Sequence, residues 1–251
     1  MRIATWNLHE GLPAGIDHGP PQPSVFEDVA ALINRLAIDV VCFQEVDYTP
    51  TGESGVLSAV AGRTSLRHIA SHTLSPSSFF TGMSTGVAIA SRFPLRDVER
   101  TMLPNPGLTT RVKSGEIGSH DKGHVSAKAD FWGREVSIVS LHALPFHVFG
   151  KEAADPRFGY VWTRLADGIA NPRNKPTLVC GDFNTPQREL VLTNSAVRFA
   201  SAVGNRPTFE DLAFDDILYS EHFASRRIEV VPNFSDHGAC VADLELSGSA
   251  R

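Results

Sequence analysis

Val179-Cys180-Gly181-Asp182-Phe183-Asn184-Thr185-Pro186 decides how this chain is read. The run 177–180 is short, apolar and partly β-branched, the pattern of a buried strand, and Gly181 opens a turn at its end. Asp182 and Asn184 stand two apart, so an extended backbone continuing past Gly181 would point both to one side. A carboxylate and an amide then meet at the carboxyl end of a strand, where α/β sheets tend to carry their chemistry. G-D-F-N alone is also an ordinary polar turn. Its weight comes from other strand ends that hold the same kind of cargo.

Residues 2–8 alternate as a strand and end in Asn7, His9 and Glu10. Residues 39–43 form a second buried strand that finishes at Gln44, Glu45, Val46 and Asp47. Residues 125–130 and 135–141 read as a hairpin around Phe131-Trp132-Gly133-Arg134, its second strand ending at His142. Further strands are expected at 67–72, 86–90, 217–219, 228–231 and 239–246, the last preceded by Ser235-Asp236-His237-Gly238. Ser24 with Glu27 reads as a capping box for an amphipathic helix carrying Val25, Val29, Leu32, Ile33 and Leu36. A second helix is expected at 158–170, with short ones near 56–61 and after Pro186, and loops at 11–23 and 101–123.

A chain of 251 residues without a composition break is read as one domain, 1–251. Its net charge of −5 excludes a strongly basic nucleic-acid coat and leaves room for a local basic groove. Cys42, Cys180 and Cys240 each sit inside an apolar run, so reduced space-filling thiols are expected in place of a disulfide framework. No apolar run approaches the ~20 residues needed to span a bilayer, and the amino terminus lacks a signal-like segment. The expected compartment is reducing, the cytoplasm, with no membrane insertion.

Asn7, Glu45, His142, Asp182, Asn184, Asp236 and His237 all sit at ends of apolar strands. Solvated loops make single strand ends polar. A set limited to three carboxylates, two amides and two histidines says more. Hard divalent cations take oxygen ligands, and Glu45, Asp236 and the amide oxygen of Asn7 suit Mg²⁺. Zinc fits less well, since the chain has neither C-x-x-C nor H-E-x-x-H.

T-W-N-L-H-E-G, Q-E-V-D, S-T-G-V-A-I-A-S-R-F-P-L, S-L-H-A-L-P, G-D-F-N-T-P, F-D-D-I-L-Y-S and S-D-H, in this order from Thr5 to His237, resemble the motifs of the endonuclease/exonuclease/phosphatase superfamily. The resemblance implies a four-layer α/β/β/α sandwich that cleaves phosphoester bonds with Mg²⁺ or Mn²⁺, nucleic acid being a plausible substrate. It implies metal-site positions at Asn7, Glu45 and Asp236. Asp182 matches the carboxylate that orients or deprotonates the attacking water, and Asn184 the amide that holds a phosphoryl oxygen. His237 matches the essential histidine, Asp215 the aspartate that orients it, and His142 a phosphate-contacting histidine of the deoxyribonuclease branch.

Two departures stand out. Ala213-Phe214-Asp215-Asp216 lacks the Arg and Tyr of the family's R-[IL]-D-Y, so Asp216 competes with Asp215, which is favoured. Asp47 stands where the pancreatic deoxyribonucleases carry a minor-groove arginine, and a carboxylate there would repel a phosphate backbone. Lys122 and His124 are read as a solvated loop entering a strand. Phe146, His147 and Phe149 are expected to select substrate; Tyr160 and Trp162 are expected in the core. Three rival readings remain: a phosphatase or phosphodiesterase of a small phosphoester, a non-catalytic binding module, and a serine hydrolase. The last would use Ser84 of G-x-S-x-G, an elbow that needs a strand before the serine and a helix after it.

Overall fold

Alternation along the strands sorts their side chains between separate cores. The computed structural model describes residues 1–16, 23–112, 115–169, 175–192 and 197–247. In it, β1 (Arg2–Asn7) sends Ile3 to one face and Ala4 and Trp6 to the other. β2 (Val40–Tyr48) divides Val40 and Cys42 from Val41 and Phe43 in the same way. Ile138 of β9 (Arg134–His142) and Leu178 and Cys180 of β10 (Thr177–Asp182) join Ile3 and Val40 in one cluster between two sheets.

The opposite faces pack under helices. Ala4, Trp6, Val41 and Phe43 meet Val29 and Ile33 of α1 (Pro23–Leu36) and Val56 and Val60 of α2 (Gly55–Arg63). Val139, Leu141 and Val179 meet Val161, Trp162 and Leu165 of α3 (Gly159–Ile169). The layers are helix, sheet, sheet, helix, which is the expected four-layer sandwich.

The remaining strands are β3 (His68–Pro76), β4 (Ser84–Ser91), β5 (Arg96–Met102), β6 (Thr109–Val112), β7 (Gly115–Gly118), β8 (Gly123–Phe131), β11 (Phe199–Ser201), β12 (Asp215–Ser220), β13 (Phe223–Val231) and β14 (Ala239–Leu246). One sheet runs β13-β14-β1-β2-β4-β3, the other β11-β12-β10-β9-β8-β5. Each centres on a parallel pair, β1 with β2 and β10 with β9, next to an antiparallel strand, β14 or β12. This repeat brings the carboxyl ends of β1, β2, β9 and β10 and the amino ends of β12 and β14 to one rim.

Several expectations are corrected. α1 starts at Pro23, so Ser24 lies inside the helix and Glu27 pairs with Arg63 at 2.7 Å; proline's fixed φ and missing N–H suit a first turn. Part of the loop expected at 11–23 (17–22), and Ala170 of the second helix, lie outside the described residues. The stretch 101–123 holds the hairpin β6–β7, whose mostly exposed faces left no alternation to read. Residues 96–102 and 199–201 are strands that the pattern did not show. Tyr160 is half exposed, whereas Trp162 is in the core as expected.

The three cysteines are free and buried in the cluster between the sheets. Among the described residues no helix is long and apolar enough to cross a membrane.

Candidate active site

Toward the shared rim, the faces between the sheets turn polar. Along β1 the inward series is Ile3, Thr5, Asn7; along β9 it is Ile138, Ser140, His142; along β10 it is Leu178, Cys180, Asp182. The middle layer ties the sheets together. Thr5 Oγ1 donates to Gln44 Oε1 (3.1 Å), Gln44 Nε2 to Ser140 Oγ (3.3 Å), and Ser140 Oγ to the carbonyl of Phe43 (3.0 Å). Above this layer the polar side chains open into a cavity of about 230 Å³. Its lining includes Glu45, His142, Asp182, Asn184, Asp236 and His237. Asn7 and Asp215 lie buried behind the wall, held to it by hydrogen bonds.

Asp182 is the hub. Its Oδ1 accepts from the backbone N–H of Asn184 (2.8 Å), and its Oδ2 accepts from Asn7 Nδ2 (3.1 Å) and Asn184 Nδ2 (3.2 Å). Its neighbours across the ladder are His142 and Asp215. His142 Nε2 is 3.5 Å and His237 Nε2 4.0 Å from Oδ2. Burial, then the nearby Asp215 charge, raises its pKa to about 6. Asn184 meets Asp182 in a different way from the extended backbone expected: its φ is +52°, so the chain turns back on the Asp182 carboxylate.

Asp215 and Asp216 point to opposite faces of β12. Asp215 Oδ2 accepts from His237 Nδ1 at 2.7 Å. Asp216 is a structural carboxylate, bound to Arg188 Nε (3.0 Å), Ser201 Oγ (2.7 Å) and the N–H groups of Val203 and Ile217. Burial opposes protonation of His237 most strongly, but Asp215, by charge and hydrogen bond, with Asp182 and Asp236, outweighs it and holds the pKa up at about 10.

Glu45 reaches the rim by a bulge. Phe43 and Val46 both belong to the outer core although they are three apart, and the pairing of β2 with β4 shifts between them. One extra residue is absorbed, with Glu45 at φ +51°, so Gln44 and Glu45 both escape the helix side. A strand ending before Glu45 was expected; β2 instead continues to Tyr48. Asp47 turns away from the cavity, accepting from Ser54 Oγ (3.1 Å) and the Gly55 N–H (3.3 Å) at the start of α2. It is buried and is not among the described lining residues of the cavity, so its carboxylate does not face a substrate there.

Lys122 corrects the solvated-loop expectation. It is 8% exposed, lines the cavity, and its Nζ lies 3.1 Å from His142 Nε2 and 3.2 Å from Nδ1. Burial and then the Lys122 charge push the His142 pKa well down, so His142 is a neutral imidazole. His124, two residues on, is buried at the other side of the sheet against Gly168; burial lowers its pKa to about 4. Phe146 and Phe149 are core residues, whereas His147 and Val148 line the cavity.

His9 was not singled out. It lies edge-on to Phe79 (4.8 Å) with its Nε2 3.8 Å from Asp236. Glu10 accepts from Ser77 Oγ and the Ser78 N–H, pinning that turn against the cavity. The only sequence signal for these two was their place in T-W-N-L-H-E-G. Ser84 opens strand β4 with no helix after it and is not in the lining, so the serine-hydrolase reading fails on geometry.

The donor set suits a hard divalent ion. Glu45 is in ion-pair range of the neutral His142 alone among the described residues (3.8 Å), and its carboxylate accepts no hydrogen bond from them. Asp182, Asp215 and His237 also bring ligand atoms within 4.8 Å of one another. In that trio His237 Nδ1 and Asp215 Oδ2 are bonded to each other at 2.7 Å, which commits those two atoms to orienting the imidazole.

A model of the Endonuclease/Exonuclease/phosphatase family matches residues 4–237. No curated protein is similar enough in sequence to match. Among solved structures, an endonuclease/exonuclease/phosphatase family protein from Leptotrichia buccalis C-1013-b is similar over 98% of this chain and 100% of its own, with TM-score 0.70 and 17% identity. The human Nocturnin catalytic domain with bound sulfate anion matches 98% of this chain and 94% of its own (TM-score 0.63, 17% identity). A mannosyl-6-phosphatase of Bacteroides thetaiotaomicron VPI-5482 matches 98% of this chain and 100% of its own (TM-score 0.62, 14% identity). The chain therefore belongs to the Endonuclease/Exonuclease/phosphatase family, a family of divalent-metal-dependent phosphoester hydrolases.

Proposed function

We propose that the protein is a Mg²⁺- or Mn²⁺-dependent phosphodiesterase in which water attacks phosphorus beside Asp182 and His237. The observation that carries this reading is the chain of contacts Asp215–His237–Asp182–Asn184 opening into the same cavity as Glu45 and Asp236. Glu45 and Asp236 would hold the ion; Asn7, expected as a third ligand, lies behind the wall with its Oδ1 accepting from the His9 N–H (3.0 Å) and its Nδ2 donating to Asp182 (3.1 Å). Bound there, the ion supplies charge neutralisation for an anionic phosphoryl group.

The chain's own groups divide the remaining work. Asp182 is the carboxylate that orients the water and takes its proton, its position locked by Asn7 and Asn184. His237, kept protonated and oriented by Asp215, faces the developing negative charge and can return a proton to the departing oxygen. His142 and Lys122 present polar or positive groups to phosphoryl oxygens; the Asn184 amide, expected in that role, instead donates both Nδ2 hydrogens to the Ala143 carbonyl (3.0 Å) and Asp182 Oδ2 (3.2 Å) and braces the carboxylate. The sequence pointed to nucleic acid as the carrier of the diester. A small phosphodiester is favoured by the cavity wall, where Lys122 is the one lysine or arginine among the described lining residues. The buried reduced cysteines suit the cytoplasm.

The test is hydrolysis of bis-p-nitrophenyl phosphate by the purified protein. EDTA is expected to lower the rate at least ~100-fold, with recovery on adding Mg²⁺ or Mn²⁺. A rate indifferent to EDTA would overturn the proposal.

The two aspartates of β12 separate in the same assay. Asp216→Asn strands the Arg188 guanidinium and is expected to cost about 3–5 kcal/mol of stability, read as a lowered denaturation midpoint. Asp215→Asn is expected to lower kcat about 10–100-fold with a smaller loss of stability. The reverse pattern would exchange the two assignments.

A further inference from the structure

The central cavity has neighbours on two edges. One cleft, of about 460 Å³, shares His147, Asn184 and Phe214 with it and extends along Lys151, Glu152 and Gln187. Another, of about 220 Å³, shares Asp236 and His237 and extends past Thr208, Glu210 and Asn233. The shared residues differ, and a wall of rings joins the two edges. His237 lies 4.7 Å from Phe209, Phe209 stacks 5.8 Å from Phe214, and Phe214 lies 4.8 Å from His147. A phosphorus atom in the middle can therefore place one substituent in each cleft.

The charges say what those substituents are. The larger cleft has one lysine and one glutamate among its described lining residues; the smaller has Glu210, beside the Asp236 assigned to the ion, and no lysine or arginine among its described lining residues. Proteins that track a nucleic-acid backbone line the path with basic residues, because each further phosphate must be neutralised. Here the positive charge is spent at the centre, on Lys122, and each flank is neutral or acidic. On the larger cleft, the Gln187 amide and Thr185 hydroxyl suit hydroxylated, uncharged groups.

From this arrangement, and resting on the phosphodiesterase reading above, we infer that the substrate is a small phosphodiester carrying a single phosphate, with an uncharged or cationic organic group on each side. The larger group occupies the cleft between residues 147–152 and 184–187.

The experiment compares kcat/KM per scissile bond for a dinucleoside monophosphate, glycerophosphocholine and a single-stranded decanucleotide. The protein is used with Mg²⁺, and His237→Ala serves as control. At least one single-phosphate diester is expected to be cleaved ~10-fold or more better than the decanucleotide. Leu212→Trp, placed at the mouth of the larger cleft, is expected to raise KM for that diester at least ~5-fold with a smaller change in kcat. Equal or faster cleavage per bond of the decanucleotide overturns the inference while leaving the phosphodiesterase reading intact. Failure to cleave any of the three or bis-p-nitrophenyl phosphate, with metal supplied, overturns both. A KM unmoved by Leu212→Trp removes the assignment of the larger cleft.

Discussion

Asp182→Ala is expected to lower kcat for bis-p-nitrophenyl phosphate at least ~100-fold while the protein folds normally, and His237→Ala is expected to lose as much. The two variants differ in what they do to the fold. The Asp182 carboxylate is held by three hydrogen bonds, but burial and the Asp215 charge raise its pKa to about 6. A raised carboxylate pKa means that its charge already costs stability at neutral pH, so losing the charge offsets part of the cost of leaving its donors unpaired. His237→Ala instead takes away the partner of Asp215, whose Oδ1 already has no hydrogen bond from the described residues and which is fully buried. That variant is expected to melt lower, and His237→Ala combined with Asp215→Asn to recover part of the loss without recovering turnover. Near-normal kcat in both purified single variants would remove the acid–base assignment.

Glu45→Gln should leave the β2 bulge in place, because the two side chains have the same shape and Glu45 accepts no hydrogen bond from the described residues. Only the charge changes. The Mg²⁺ concentration giving half-maximal activity is expected to rise at least ~10-fold, with KM for the diester moving less, since Mg²⁺ sites depend on one or two carboxylates. An unchanged metal titration would exclude Glu45 as a ligand. The same variant reports on Lys122, which sits in the field of Glu45, Asp182 and Glu10. At a fixed Mg²⁺ concentration, competitive inhibition by inorganic phosphate should weaken, because burial already lowers the Lys122 pKa and the Glu45 charge is one of the groups that hold it up.

Much of this site was legible because its residues end strands whose alternation is plain. Ile3-Thr5-Asn7 and Leu178-Cys180-Asp182 have the period of a buried strand, and the last residue of each series is polar because no core remains to pack against it. Asp236 and His237 precede a run, 239–246, of the same kind. Such local patterns depend only on which face of a strand meets water, and a chain read by itself shows them.

Other choices were not local. Which of Asp215 and Asp216 faces His237 is set by the pairing of β12 with β10, which puts Asp215 opposite Asp182. Lys122 resembles any exposed loop lysine until the hydrogen bond from the Leu103 N–H to its carbonyl and the ring of His142 fix it inside the cavity. Phe146 was drawn into the core by Phe158 and Trp162, leaving His147 to face the substrate.

By itself, the sequence carried the family, through the resemblance of its ordered motifs, and the chemical types gathered at the strand ends, because motifs and alternation are read along one segment at a time. Only the tertiary structure decided which atoms meet there. Registers between strands, a bulge that turns Glu45 around, and the clefts on either side are relations between segments far apart in the chain, and no local pattern encodes them.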